Sequence, residues 1–178
     1  APAPGAEEAD AAGAFPTRVV LRRRYGEREQ RSRLYIAGGM DFEHMAPTDL
    51  FERWDLESRT GEKLPPMPTA RWGCAAAALG GKLYVVGGSD GRGPLAVVEA
   101  FDPATGEWTA HPPMPTARTG CAAVSLCGRL HIFGGRAGSR PLADVESFDP
   151  CTGLWAPQPS MPTARFRSAA CVASLPTQ

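Results

Sequence analysis

The pentapeptide Met-Pro-Thr-Ala-Arg stands at Met67–Arg71, again at Met114–Arg118 and again at Met161–Arg165, with consecutive copies 47 residues apart. A degenerate copy, Phe15-Pro16-Thr17-Arg18, precedes them. Other landmarks keep the same phase. Twelve residues after Arg71 and Arg118 begin the apolar runs Leu83–Gly88 and Leu130–Gly135, each closing in a glycine pair, with Leu34–Gly39 as their first-copy counterpart. Thirteen residues beyond Gly88 and Gly135 stand Phe101 and Phe148 of Glu-x-Phe-Asp-Pro, and Trp54 fills that slot in the first copy. Trp108 and Trp155 follow seven residues later, where the first copy has Gly61. A recurrence held in register over this length restricts the chain to stacked copies of one supersecondary unit.

A unit of this size fits one four-stranded propeller blade. Gly73–Leu79 and Gly120–Leu126 read as narrow, small-residue strands, each turned back by a two-residue hairpin, Gly80-Gly81 or Cys127-Gly128. Leu83–Val86 and Leu130–Phe133 are nearly all apolar, as a strand covered on both faces requires. The Glu-x-Phe-Asp-Pro runs end a third strand, because proline cannot continue the ladder. Asp-Pro-x-Thr-Gly then turns the chain into a fourth strand that carries the tryptophan.

With these motifs in hand, the repeats resemble Kelch motifs. The resemblance rests on the glycine pair after an apolar strand, the Glu-x-aromatic-Asp-Pro run and the tryptophan at fixed distance, and it covers roughly Phe15 to Leu175. It implies an all-β, Kelch-type β-propeller with the first strand of each blade on the central channel and the fourth on the rim. The chain then divides into an acidic Ala/Pro-rich leader (1–14), a divergent first blade (15–66), a second blade (67–113), a third (114–160) and the inner strand of an incomplete fourth (161–178). Three blades and one strand make a partial ring or arc, and propellers close with four to eight blades. The open blade faces call for cover by further blades or neighbouring subunits.

The first copy departs from the others. Counted from Arg18, its first hairpin is four residues longer and carries the charged tip Tyr25–Arg33, and its loop through Met40–Thr48 is longer by two. Residues 18–33 hold seven arginines against Glu27 and Glu29, whereas residues 41–63 hold seven acids against Arg53, Arg59 and Lys63. Pairing within the blade or with a protein partner accounts for this better than RNA, whose readers interleave more aromatics than Tyr25 and Tyr35 supply.

Candidate partner-binding residues fall in two sets. Arg18, Arg71, Arg118 and Arg165 occupy the entry to the inner strand, which the resemblance places near the channel mouth. A ring of guanidinium groups there would take an acidic segment bidentately. The competing role is structural, with each arginine satisfying carbonyls and acids between blades. The second set lies on the loops after each glycine pair, Met40–Thr48, Ser89–Ala96 and Arg136–Ala143, which differ while the strands do not. Asp41, Phe42, Glu43 and His44 stand in the first, Asp90 and Arg92 in the second, and Arg136 and Arg140 in the third.

Composition narrows the function. Lys plus Arg and Asp plus Glu both number 19, so no global field recruits nucleic acid or an anionic membrane. Uncharged stretches are too short to span a bilayer. Five cysteines without a CxxC pair read as reduced, packed thiols, with no zinc site. His44, His111 and His131 fall at three different repeat positions, and His131 replaces Tyr84 of the previous copy. No catalytic constellation, metal site or cofactor motif is present in the residues. The expected function is a non-enzymatic protein-protein interaction module or scaffold. The alternatives are an architectural subunit docked in a large complex, or a carbohydrate-active or copper-oxidase-like propeller enzyme. The family default is a soluble cytoplasmic protein, and a targeting peptide removed before Ala1 would make it organellar.

Overall fold

The computed structural model describes residues 17–21 and 33–173. Its elements are all β-strands, arranged as three four-stranded antiparallel sheets and two small ribbons. Blade 1 contains β1 (Thr17–Leu21), β2 (Arg33–Ala37), β5 (Phe51–Asp55) and β6 (Thr60–Lys63), with the ribbon β3 (Met40–Asp41) and β4 (Ala46–Pro47) rising after the glycine pair. Blade 2 contains β7 (Ala75–Leu79), β8 (Lys82–Val86), β9 (Val98–Asp102) and β10 (Glu107–His111). Blade 3 repeats it with β11 (Ala122–Leu126), β12 (Arg129–Phe133), β15 (Val145–Asp149) and β16 (Leu154–Gln158), plus the ribbon β13 (Arg136–Ala137) and β14 (Arg140–Pro141). Antiparallel neighbours in chain order produce three consecutive Kelch-type blades, a partial arc of a β-propeller.

The turn chemistry sets the strand lengths. Gly80-Gly81 and Cys127-Gly128 all have positive φ, the two-residue turn that matches strand twist. Gly73 and Gly120, at φ +63°, delay the inner strands to Ala75 and Ala122. Asp55, Asp102 and Asp149 each accept backbone N–H bonds two residues on, at 2.9 to 3.0 Å, and so shape the turn between third and fourth strands.

The apolar area lies between the blades. Tyr35, Ala37 and Phe51 of blade 1 bury against Leu83, Val85 and Phe101 of blade 2, and Met67 and Cys74 join them. The second joint packs Tyr84, Val86 and Val98 against Leu130, Ile132 and Phe148, with Met114 and Cys121. Burial pushes the Cys121 thiol up to about 12, so it serves as a small apolar group. Trp108 sets its ring 4.9 Å from Phe51 and 5.2 Å from Phe101, and its indole N–H donates to Pro65 O at 3.0 Å. Trp155 repeats this, with its ring 4.9 Å from Phe148 and its N–H on Pro112 O at 3.1 Å.

Two sequence expectations need correction. Arg18 is not the register equivalent of Arg71. It pairs with Ile36 inside β1, as Ala76 pairs with Val85 inside β7, so hydrogen-bond register places it five residues later in the unit. The first hairpin is accordingly longer than counted, running from Leu21 to Arg33 where blade 2 uses two residues, and its tip lies outside the described residues. At the other end, Ser168–Ala173 carries no ladder, because no described strand lies beside it. The leader 1–14 also lies outside the described residues.

The glycine pairs are needed because the next unit lies on them. A Cβ on Gly87, at φ +63°, would sit 2.5 Å from Arg118 O, whereas one on Gly93 would meet nothing within 4 Å. Gly87→Ala is therefore expected to destabilise by about 2–4 kcal/mol and Gly93→Ala by less than about 1 kcal/mol, measured by urea unfolding.

Candidate partner-binding surface

The recurring pentapeptide is the tie between successive blades. Its methionine covers the preceding glycine pair: Met67 and Met114 are 2% and 3% exposed, with their methyls at the positions above Gly38 and Gly87. Its arginine backbone bonds the preceding blade, Gly39 N–H donating to Arg71 O at 3.0 Å and Gly88 N–H to Arg118 O at 2.9 Å. The side chain then enters the following blade. Arg71 donates to Gly87 O and Val97 O at 3.1 and 3.3 Å, and its Nη2 meets Glu99 at 2.6 Å. Arg118 donates to Gly134 O and Asp144 O at 2.9 and 3.2 Å and faces Glu146 Oε2 at 2.9 Å. Thr69 and Thr116 hold the other carboxylate oxygens at 2.7 Å.

Both guanidinium groups are fully buried. Burial, opposed by Glu99, draws the Arg71 pKa below its ordinary value. Each guanidinium is thus bonded to backbone carbonyls of the next blade and ion-paired with a glutamate there, which is the structural alternative the repeat pattern left open. Arg165, the next copy, is exposed. Nothing is described of the Arg18 side chain. The glutamates went unassigned in the sequence, although Glu99 and Glu146 follow Arg71 and Arg118 at a constant 28 residues.

The loops after the glycine pairs are seated alike, Thr48, Leu95 and Leu142 N–H groups returning to Gly39, Gly88 and Gly135 O at 3.1, 2.8 and 2.9 Å. Their acids are partly used locally. Asp90 accepts from Arg92 and Gly93 N–H, bonds that hold its carboxyl below the usual range, and Asp41 is lowered chiefly by its hydrogen bond with His44. Arg92 and Arg140 are exposed, Arg140 with only a distant acid, Asp144 at 3.9 Å.

The structure also brings to Arg136, a residue the sequence singled out, two that it did not, Phe166 and Arg167. Gly120 N–H donates to Gly73 O at 2.7 Å and Arg167 N–H to Gly120 O at 2.8 Å, a ribbon linking equivalent positions of successive units. Arg167 holds φ +57° where the earlier copies have glycine. Its guanidinium lies 5.0 Å from the Phe166 ring centre, and that of Arg136 lies 4.8 Å from the same ring. Their only sequence signal was that a Phe-Arg pair replaces Trp72-Gly73 and Thr119-Gly120. Among the described residues no three His, Cys, Asp or Glu side chains gather to hold a metal ion, and no helix is long and apolar enough to cross a membrane. His131 stands half-buried in the Tyr84 register, and His111 packs between Tyr84 and Phe148.

The buried and exposed copies of one motif set their own control. Arg71→Ala and Arg118→Ala leave a buried carboxylate unpaired and should each cost about 3–5 kcal/mol in chemical unfolding. Arg165→Ala should change stability by no more than about 0.5 kcal/mol.

The family model described as the KLHDC2/KLHL20/DRC7 Kelch-repeats domain matches residues 19–174. Similar proteins include human Kelch repeat and BTB domain-containing protein 13, 33% identical over 78 residues, which are 44% of this chain and 17% of the relative. Kelch repeat and BTB domain-containing protein 8 of Xenopus tropicalis is 38% identical over 43% of this chain and 14% of its own length. Rat Kelch-like protein 21 is 51% identical over 27% of this chain and 8% of its own length. The matched part is thus less than a fifth of each relative's length. With nearly all of its described residues inside the matched domain, the chain belongs to the Kelch-repeat family.

Proposed function

We propose that this chain is a non-enzymatic recognition module that takes an acidic protein segment across the loop edge of blade 3. The observation that carries the reading is the pair of guanidinium groups, Arg136 and Arg167, held against one ring, Phe166. Stacking fixes the cations in place, so less side-chain entropy is lost when a carboxylate binds. Arg140 extends the positive edge, and Arg92 adds a charge on the neighbouring loop. Asp90 takes a positioning part, since its carboxylate shapes the turn that presents Arg92.

A second reading, an architectural subunit, draws support from large apolar side chains exposed on two of the blades. Trp54 is 39% exposed on blade 1, in the register of the buried Phe101, and Leu154 is 67% exposed on blade 3.

A fluorescent peptide rich in Asp and Glu tests the first reading by anisotropy. The double variant Arg136→Ala/Arg167→Ala should bind about tenfold more weakly with an unchanged unfolding midpoint, a loss of about 1.4 kcal/mol. Added salt should weaken the wild type more than the variant. Equal affinity of the two proteins would exclude this edge as the site.

A further inference from the structure

The joints on either side of blade 2 differ at one position that can carry a charge. Leu64 N–H donates to Phe51 O at 2.9 Å, and His111 stands opposite Val98 in the β9–β10 ladder. Phe51 and Val98 are 47 residues apart, as Leu64 and His111 are, so a leucine and a histidine fill the same place in successive joints. Leu64 packs on the core of the first joint as an apolar side chain. His111 sets a titratable ring into the second. Its centre lies 5.3 Å from that of Tyr84 and 5.7 Å from that of Phe148, which are 5% and 0% exposed. Its Nε2 is buried, and among the described residues nothing bonds to it.

The surroundings hold no carboxylate for this ring. From β8 come Tyr84 and Lys82, the latter 3.6 Å from Asp102. Burial first, and Cys151 of the turn before β16 second, raise the Tyr84 pKa, so its phenol stays neutral. On β9, Glu99 is taken by Arg71 and Thr69. On β15, Glu146 is taken by Arg118 and Thr116, and Asp149 lies 3.2 Å from Arg129. Burial, and after it the charge of Lys82, draw the His111 pKa below its ordinary value.

From this substitution we infer that the joint between blades 2 and 3 is a proton-sensitive seam, closed while His111 is neutral and loosened when it takes a proton. In the cation both ring nitrogens carry hydrogen, so the Nε2–H is buried without an acceptor until the joint opens to water. The joint between blades 1 and 2, with Leu64 in that place, lacks this response. The sign follows from linkage. An imidazole freed from the joint titrates near about 6.5, and the closed one titrates below that value. The closed state is therefore fully favoured above the ordinary value, and its advantage is lost as pH falls from there toward the closed-state value. Acid thus loosens blade 3, with its Arg136 and Arg140 loop, from blade 2 and leaves blade 1 seated. The inference is independent of the acidic-segment reading.

Each joint carries its own reporter. Trp108 N–H donates to Pro65 O beside Leu64 at 3.0 Å, and Trp155 N–H to Pro112 O beside His111 at 3.1 Å. Hydrogen exchange of the two indole N–H groups, followed by NMR in one sample at about pH 7.5 and again at about pH 5.5, tests the inference. Protection of Trp155 relative to Trp108 should fall about tenfold in acid, the equivalent of one pKa unit. In His111→Leu, which copies the first joint, the ratio should stay constant. His131→Tyr, which restores the residue of the previous unit, should keep the wild-type fall. A wild-type ratio that does not move would overturn the inference, as would an equal fall in His111→Leu. So would a wild-type His111 ring that titrates at or above about 6.5 by NMR, a measurement that needs no variant.

Discussion

Between each pair of sheets a guanidinium group is removed from water and given a carboxylate and two backbone carbonyls in return. The rest of the architecture is arranged around that exchange. Burying an arginine without such partners would cost several kcal/mol, a large part of the stability of a small domain, so the members of the joint depend on one another. The arginine's own backbone is bonded to one blade while its side chain is bonded to the next, so one residue fixes the spacing of two sheets. A pair of this kind adds little net stability compared with apolar replacements, and its contribution is to select one stacking geometry over others.

Close approach follows from the same contact. The chain that carries the arginine lies directly on the glycine pair of the preceding blade, and any Cβ at Gly38, Gly87 or Gly134 would press into the carbonyl of Arg71, Arg118 or Arg165. The aromatic side chains then fill what the backbone contact leaves open. Phe51, Phe101 and Trp108 meet at ring distances of 4.8 to 5.2 Å in the first joint. The loops after the glycine pairs and the edge of blade 3 stay outside these joints, which leaves them open to the partner binding proposed above.

The repeat architecture was legible in the sequence because every unit meets the same packing demand. Glycine pairs, hairpin turns and tryptophans fell where their spacing put them. Arg18 was misplaced because Phe-Pro-Thr-Arg resembles the repeat in letters, whereas strand pairing is decided by which residues face the core. In blade 1 the aromatic pair is rebuilt, with the Trp54 ring occupying the space over Gly61, so that counting by tryptophan fails there. The buried role of Arg71 and Arg118 was open in the sequence, since a cation at a strand entry can face solvent or a neighbouring sheet. Only the constant 28-residue offset to Glu99 and Glu146 pointed inward. The Arg136–Phe166–Arg167 cluster joins segments of one chain across a joint, and no local pattern encodes that meeting.

A double-mutant cycle on Arg71 and Glu99 tests the central claim most directly. With Arg71→Met and Glu99→Leu measured singly and together by urea unfolding, the joint predicts a coupling energy of about 2 kcal/mol or more, the double variant recovering much of what each single loses. Additive losses, with coupling below about 0.5 kcal/mol, would show that the pair does not hold the blades together.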